Sequence, residues 1–181
     1  MIIFPTGVII TGTENSSLLH IVPDAEAWVT STIAEKARLR RDALISEWRP
    51  RLYADDSVIE LPANPDDLGT LILARSDYKT RAQQDSEADP VVATSTTQKA
   101  KYDAVSRSGS TVTLFSSGIT LPDLSGNCIL AYVQNLEEWL IGALMGQVNR
   151  GKKKMIAQYH PIIMADSSVT TMPATEDGLI T

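Results

Sequence analysis

The chain matches itself. Slid along by 111 positions, residues 1–70 lie on 112–181 without a gap, and 17 of the 70 pairs are identical; ordinary composition gives roughly four. Among the identical pairs are Phe4/Phe115, Gly7/Gly118, Glu26/Glu137, Trp28/Trp139, Pro50/Pro161, Asp55/Asp166, Ser57/Ser168 and Asp66/Asp177, with Ile33/Leu144, Leu44/Met155 and Trp48/Tyr159 conservatively exchanged. Two copies of one module is the reading this pattern supports. The expected fold is therefore α+β and mainly helical, with two tandem copies of a strand–long helix–turn–helix module. Module A takes residues 1–85, a linker 86–111, and module B 112–181, the second copy lacking the final helix.

Each copy opens on a β-rich segment, Ile2 to Ile10 and Val112 to Leu121. Phe4 and Phe115, the two phenylalanines of the chain, occupy the same position just ahead of Gly7 and Gly118. An inward ring and a turn or bulge that only glycine fits are expected there, in segments that read as strands or as arms that pair with another sheet edge. A long helix follows. Pro23-Asp24 starts the first, and Trp28, Ile33, Ala37, Leu44, Ile45 and Trp48 fall near one stripe at helical spacing. Trp139, Leu144, Val148, Ile156 and Tyr159 fill that stripe in the second. Pro50 and Pro161 are expected to stop the two helices, and Gly151 to kink the second. Phe4, Phe115, Trp28, Trp139, Trp48 and Tyr159 form the expected module core.

The motif Ala-Asp-x-Ser-Val recurs at 54–58 and 165–169. Asp55 and Asp166 there should accept backbone N–H bonds in a turn. Asn64-Pro65-Asp66-Asp67 reads as an N-cap, a first-turn proline and acids at a helix start, with Asp177 in that part in the second copy. Module A should continue as one helix to about Asp85. The linker is rich in Ser, Thr and Ala and should hold a short helix within 97–105. It is long enough for the modules to dock in several relative positions.

Chemistry is sparse. Cys128 is the only cysteine, so no intrachain disulfide forms, and a small core residue is expected. His20 and His160 are the two histidines and neither recurs, so no metal set is expected. No phosphate-binding loop or catalytic constellation stands out; no cofactor is expected and the chain reads as a non-enzyme. The N-terminal apolar run lacks a basic lead-in and is broken by Pro5 and Gly7, which argues against a signal peptide. Leu136 to Val148 is too short to span a bilayer.

Two basic clusters stand on this acidic protein of net charge −6: Lys36, Arg38, Arg40 and Arg41 on the first long helix, and Arg150, Lys152, Lys153 and Lys154 on the second. They are the candidate partner-binding residues, for an acidic partner before nucleic acid. Sequence-specific DNA reading is not expected, because no aromatics interleave and no reading motif is present.

The run from Trp48 to Asp55, then Pro62 to Leu68, then Ala74 to Ala82 resembles small proteins of tailed bacteriophages. The resemblance covers residues 45–85 and is echoed in 150–181. It implies a virion structural protein assembled in the host cytoplasm, of the head–tail connector or adaptor type, self-associating in a ring with portal, neck or tail components. Capsid cement or a fibre/baseplate attachment protein is the alternative, and a small nucleic-acid-binding protein the third reading. The surface around Trp139, Leu144 and Ile156 should lack the cover that Leu71, Ile72, Leu73 and Tyr78 give module A, so that the first module's helix, a neighbouring copy or a virion partner must cover it, a neighbour or partner being the favoured reading.

Overall fold

A computed structural model describes residues 1–58, 60–88, 98–104, 109–169, 171, 175 and 178. The described chain is α+β and mainly helical, with seven helices and two antiparallel two-stranded ribbons. Strands β1 (Ile2–Ile3) and β2 (Val8–Thr11) are joined by a turn in which Phe4 and Gly7 both have positive φ, 49° and 79°. The Gly7 N–H donates to the Phe4 carbonyl at 2.8 Å. A Cβ on Gly7 would lie 2.5 Å from the Leu114 carbonyl oxygen, so this turn admits no side chain at that position. Strands β3 (Thr111–Leu114) and β4 (Ile119–Thr120) repeat the device, with Phe115 at 53° and Gly118 at 78°.

Neither hairpin closes on itself. β1 pairs with β4, and β2 with β3. Ile3 faces Ile119 while Val8 faces Leu114; Ile2 faces Thr120 while Ile9 faces Thr113. Moving both members of one pair by 111 positions gives the other pair. Alternation along β2 buries Val8 and Ile10 and leaves Ile9 out.

The helices cross over as well. Short α1 (Gly12–Leu19) packs on α7 (Leu136–Ala165), and short α6 (Asp123–Leu130) packs on α2 (Ala25–Tyr53). Asp24 caps α2 by accepting from the Ala27 N–H, and Asn135 caps α7 by accepting from the Glu138 N–H. Ile10, Leu18, Val29, Ile33, Leu140, Ile141, Leu144 and Val148 form the shared core between the halves. Each such burial contributes roughly 1.5–3 kcal/mol. A second cluster joins Leu44, Ile45, Trp48 and Leu52 of α2 to Leu68 and Ile72 of α3 (Pro65–Leu73) and to Cys128.

Several expectations change. α2 and α7 run through Pro50 and Pro161 to Tyr53 and Ala165. Each proline sits in the final stretch and removes one helical hydrogen bond; in α2 the full burial of Leu52 offsets that loss. Gly151 does not break α7. It lies where α7 crosses α1, and a Cβ there would come 1.9 Å from the Ser17 carbonyl oxygen. α1 and α6 are additional helices. The single helix expected to Asp85 is two, because the chain turns at Arg75–Tyr78 and restarts as α4 (Arg81–Ala88), with the Thr80 N–H donating to the Gln83 side chain. The linker carries α5 (Gln98–Ala104), as expected, and α5 is docked: it packs on α7, the Lys99 N–H donates to Glu138, and the Tyr102 hydroxyl bonds both Ile9 N–H and Ile9 carbonyl. β1–β4, β2–β3 and the α1·α7 and α2·α6 contacts pack residues 1–53 against 111–165.

Candidate functional site

The first basic cluster is engaged within the chain. Arg38 pairs with Glu35 at 2.8 Å and Asp42 at 3.2 Å, and Arg41 with Asp42 at 3.0 Å and Asp66 at 2.5 Å. Hydrogen bonding to Arg38 holds the Glu35 carboxyl below its ordinary value. Arg40 lies over the Tyr132 ring, 4.5 Å from its centroid. Lys36 lines a groove of about 720 Å³ between α2 and α7 together with Trp28, Trp139, Leu39, Gly146 and Arg150. Trp28 and Trp139 thus occupy equivalent, partly buried places against the shared core rather than fully buried ones.

The second cluster is built differently. Arg150 donates to Gln147 at 3.3 Å, while Lys153 and Lys154 are exposed. Neither of those two lysines makes an ion pair among the described residues. They sit on the stretch of α7 that also presents Tyr159, Ile162 and Met164, which are 43%, 61% and 63% exposed. Tyr159 is therefore not a core residue. Its counterpart Trp48 is 4% exposed, because Leu68, Ile72 and Tyr78 cover it, and Tyr78 stands 6.1 Å away ring to ring. The His20 ring stands 6.3 Å from that of Tyr159. The expected bare surface is displaced: Leu144 is buried within the chain, Ile156 and Trp139 are partly buried, and the exposed part lies beyond, from Tyr159 to Met164. Phe4 is buried and Phe115 half-buried.

Both recurring turns form as expected. Asp55 accepts from the Ser57 N–H at 3.0 Å and the Ser57 hydroxyl at 2.6 Å, and Asp166 does the same with Ser168 at 2.9 and 2.7 Å. Among the described residues only the first gains a base: Arg75 reaches Asp55 at 2.8 Å and Asp77 at 2.8 Å. The Ser57 hydroxyl and then Arg75 hold the Asp55 carboxyl down at about 2. Asp66 stands in the first turn of α3 behind the Asn64 cap; Asp177 lies outside the described residues. Cys128 is fully buried, and burial pushes its thiol up to about 11. No group of three or more metal-ligating side chains occurs among the described residues, and no helix there is long and apolar enough to cross a membrane.

Sequence reasoning missed two positions. Glu26 is identical in both copies, and its carboxylate accepts from the Phe115 N–H at 2.6 Å, tying α2 to the opposite turn. A second apolar groove, about 570 Å³, opens between the end of α2 and the start of α3 and is lined by Ile45, Pro50, Tyr53, Ala63, Pro65 and Leu68, with Asp42 and Arg49 at its margin. The prolines taken as helix stops are part of its wall. Comparison with protein-family models, curated proteins and solved structures returns no match.

Proposed function

We propose that this chain is a non-enzymatic structural protein of a tailed-phage particle, an adaptor of the neck or tail that joins rings through two copies of one module. The duplication reading is supported by the exchanged strand registers and by the matching positive-φ turns, caps and Asp–Ser turns 111 positions apart. On that reading the chain is a dimer-like body written into one polypeptide, each half completing the other's ribbon.

The observation that carries the assembly reading is the difference between the two long helices. Trp48 and Leu52 near the end of α2 are buried in the cluster that α3 closes, while the equivalent Tyr159 and Ile163 of α7 are exposed and half-buried, with Ile162 and Met164 also exposed on the helix that carries Lys153 and Lys154. Large apolar side chains grouped with unspent charge are the composition of a contact surface. The nucleic-acid reading is weakened because Arg38 and Arg41 are already spent on carboxylates. The displaced carboxylates Asp55, Asp77, Asp85, Asp123 and Asp166 are each held by a base or a hydrogen-bond donor of the chain, an arrangement suited to holding structure.

Quantitative mass spectrometry of purified particles tests the reading. An adaptor is present at ring stoichiometry, roughly six or twelve copies. A copy number following the capsid lattice or the fibres points to the cement or attachment alternative. Absence from particles, with salt-sensitive binding to plain duplex, overturns both.

A further inference from the structure

The two basic clusters meet in the groove between α2 and α7. Lys36 comes from the first cluster and Arg150 from the second, and both line the groove. Its walls take the same positions from each helix, 111 apart, from Trp28 to Leu39 on α2 and from Trp139 to Arg150 on α7. At about 1.5 Å per residue each wall runs about 16 Å, or three helical turns. Trp28 and Trp139 are partly buried against the shared core, and Leu39 is 49% exposed. An apolar trough walled by two helices has the shape into which a third, amphipathic helix lies. Its charge is one-sided. Glu35, the one acid among the lining residues, accepts two hydrogen bonds from Arg38 at 2.8 and 2.9 Å. Lys36 makes no ion pair among the described residues, nor does Arg150, which donates to the neutral Gln147 side chain at 3.3 Å.

We propose that this groove docks an amphipathic helix of a partner protein, apolar on the face that enters and acidic along its margins. Trp28, Trp139 and Leu39 take the apolar face, and Lys36 and Arg150 take the carboxylates. One cation stands on each wall, so acids on either margin of the incoming helix find a base. A second copy set groove to groove is a poorer occupant, because it brings Lys36 and Arg150 against their own kind with no free acid in the groove to meet them. Duplex nucleic acid presents rows of phosphates, for which two cations around an apolar trough are too few. The docking site requires no virion role, and its test uses the chain without a particle, so it and the adaptor reading stand or fall on different measurements.

The probe is a tryptophan-free helical peptide of about 18 residues, leucine on one face and glutamate on the other, set against its lysine counterpart. Titrated into the full chain, the glutamate peptide should bind one to one with a dissociation constant on the order of 10–100 μM at low salt, and more weakly as salt rises. Binding should shift the emission of Trp28 and Trp139 to the blue, since Trp48 is 4% exposed and lies outside the groove. Gly146→Leu puts a side chain into the trough from an exposed position where a Cβ meets nothing within 4 Å. It should weaken binding on the order of tenfold or more with the far-ultraviolet circular dichroism unchanged. The double variant K36E/R150E should lose the glutamate peptide and take the lysine one. Four results overturn the proposal. One is no binding of the glutamate peptide up to millimolar concentration in low salt. Another is equal binding of both peptides, the mark of apolar adhesion without charge selection. The third is a Gly146→Leu variant that binds like the parent, which places the peptide elsewhere. The fourth is a dimer of the chain in sedimentation velocity that Gly146→Leu abolishes, which makes a second copy the occupant.

Discussion

Replacing Gly151 by alanine tests how α1 and α7 cross. The new Cβ would stand 1.9 Å from the Ser17 carbonyl oxygen and 2.6 Å from the Ser17 carbonyl carbon, both backbone atoms that no rotamer change can move. Restoring an ordinary contact means separating the two helices by roughly 1.5 Å, and a gap of about 1 Å already forfeits a quarter to a half of the dispersion energy across a packed surface. Leu18 on α1 and Val148 on α7, both fully buried, lie one residue and three residues from the crossing. Losing about half of their burial, together with neighbouring contacts, costs about 3–4 kcal/mol. Alanine returns about 1 kcal/mol of helix propensity, which leaves a net loss of about 2–3 kcal/mol. In a chain of this size that lowers the melting temperature by roughly 5–10 °C. Gly146→Ala is the control, because its Cβ meets nothing within 4 Å; it should gain about 0.5–1 kcal/mol. Urea unfolding followed by circular dichroism at 222 nm reads both. A G151A protein as stable as the parent would refute the crossing described here.

Other outcomes follow from the same geometry. Trp48→Ala removes a side chain 4% exposed and should cost about 3–5 kcal/mol, while Tyr159→Ala at the equivalent position, 43% exposed, should cost less than about 1 kcal/mol; paired urea melts compare them. Asp55 titrates near 2 in the fold and about 3.9 when unfolded. Its contribution is therefore complete above about pH 4 and is lost as pH falls through 2, and Asp55→Asn should flatten the stability curve across that window. NMR titration of the carboxyl checks the value directly. Tyr102→Phe removes both bonds to the Ile9 backbone and should cost about 1 kcal/mol, with faster amide exchange at Ile9.

The legible parts of the fold are those carried by side-chain chemistry within one module. Helical spacing from Trp28 to Trp48 announced α2, the Asn64-Pro65 pair announced α3, and Asp55 with Ser57 announced the turn. α1 was hidden because Gly12 to Ser17 shows no apolar period, although Thr11 and Glu14 spell out the capping box that starts it. Pro50 reads as a stop on local geometry alone; the burial of Leu52 beyond it carries α2 on to Tyr53. The pairing of β1 with β4 and of β2 with β3 is not legible in residues 2–10 or 112–121 taken alone: their β-rich composition marks each as a strand without naming its partner. On α7 the exposed surface lies beyond Leu144, because Leu144 is buried in the cluster that also holds Leu18, Val29 and Ile33, residues far from it in the chain.

The exchanged ribbons also set an order of events during synthesis. β2 cannot find a partner until residue 111 has been made, and β1 waits for residue 119. At about 5–20 residues per second, the first strands stay unpaired for roughly 5–20 s after they leave the ribosome, with Ile2, Ile3, Val8, Ile9 and Ile10 awaiting a distant sequence. Pairings this far apart in the chain also slow folding of the finished polypeptide, because a long loop must close before any ribbon bond forms. The nascent first half is therefore the species most open to pairing with the wrong chain, and crowding on one messenger makes that chain a second nascent copy of itself.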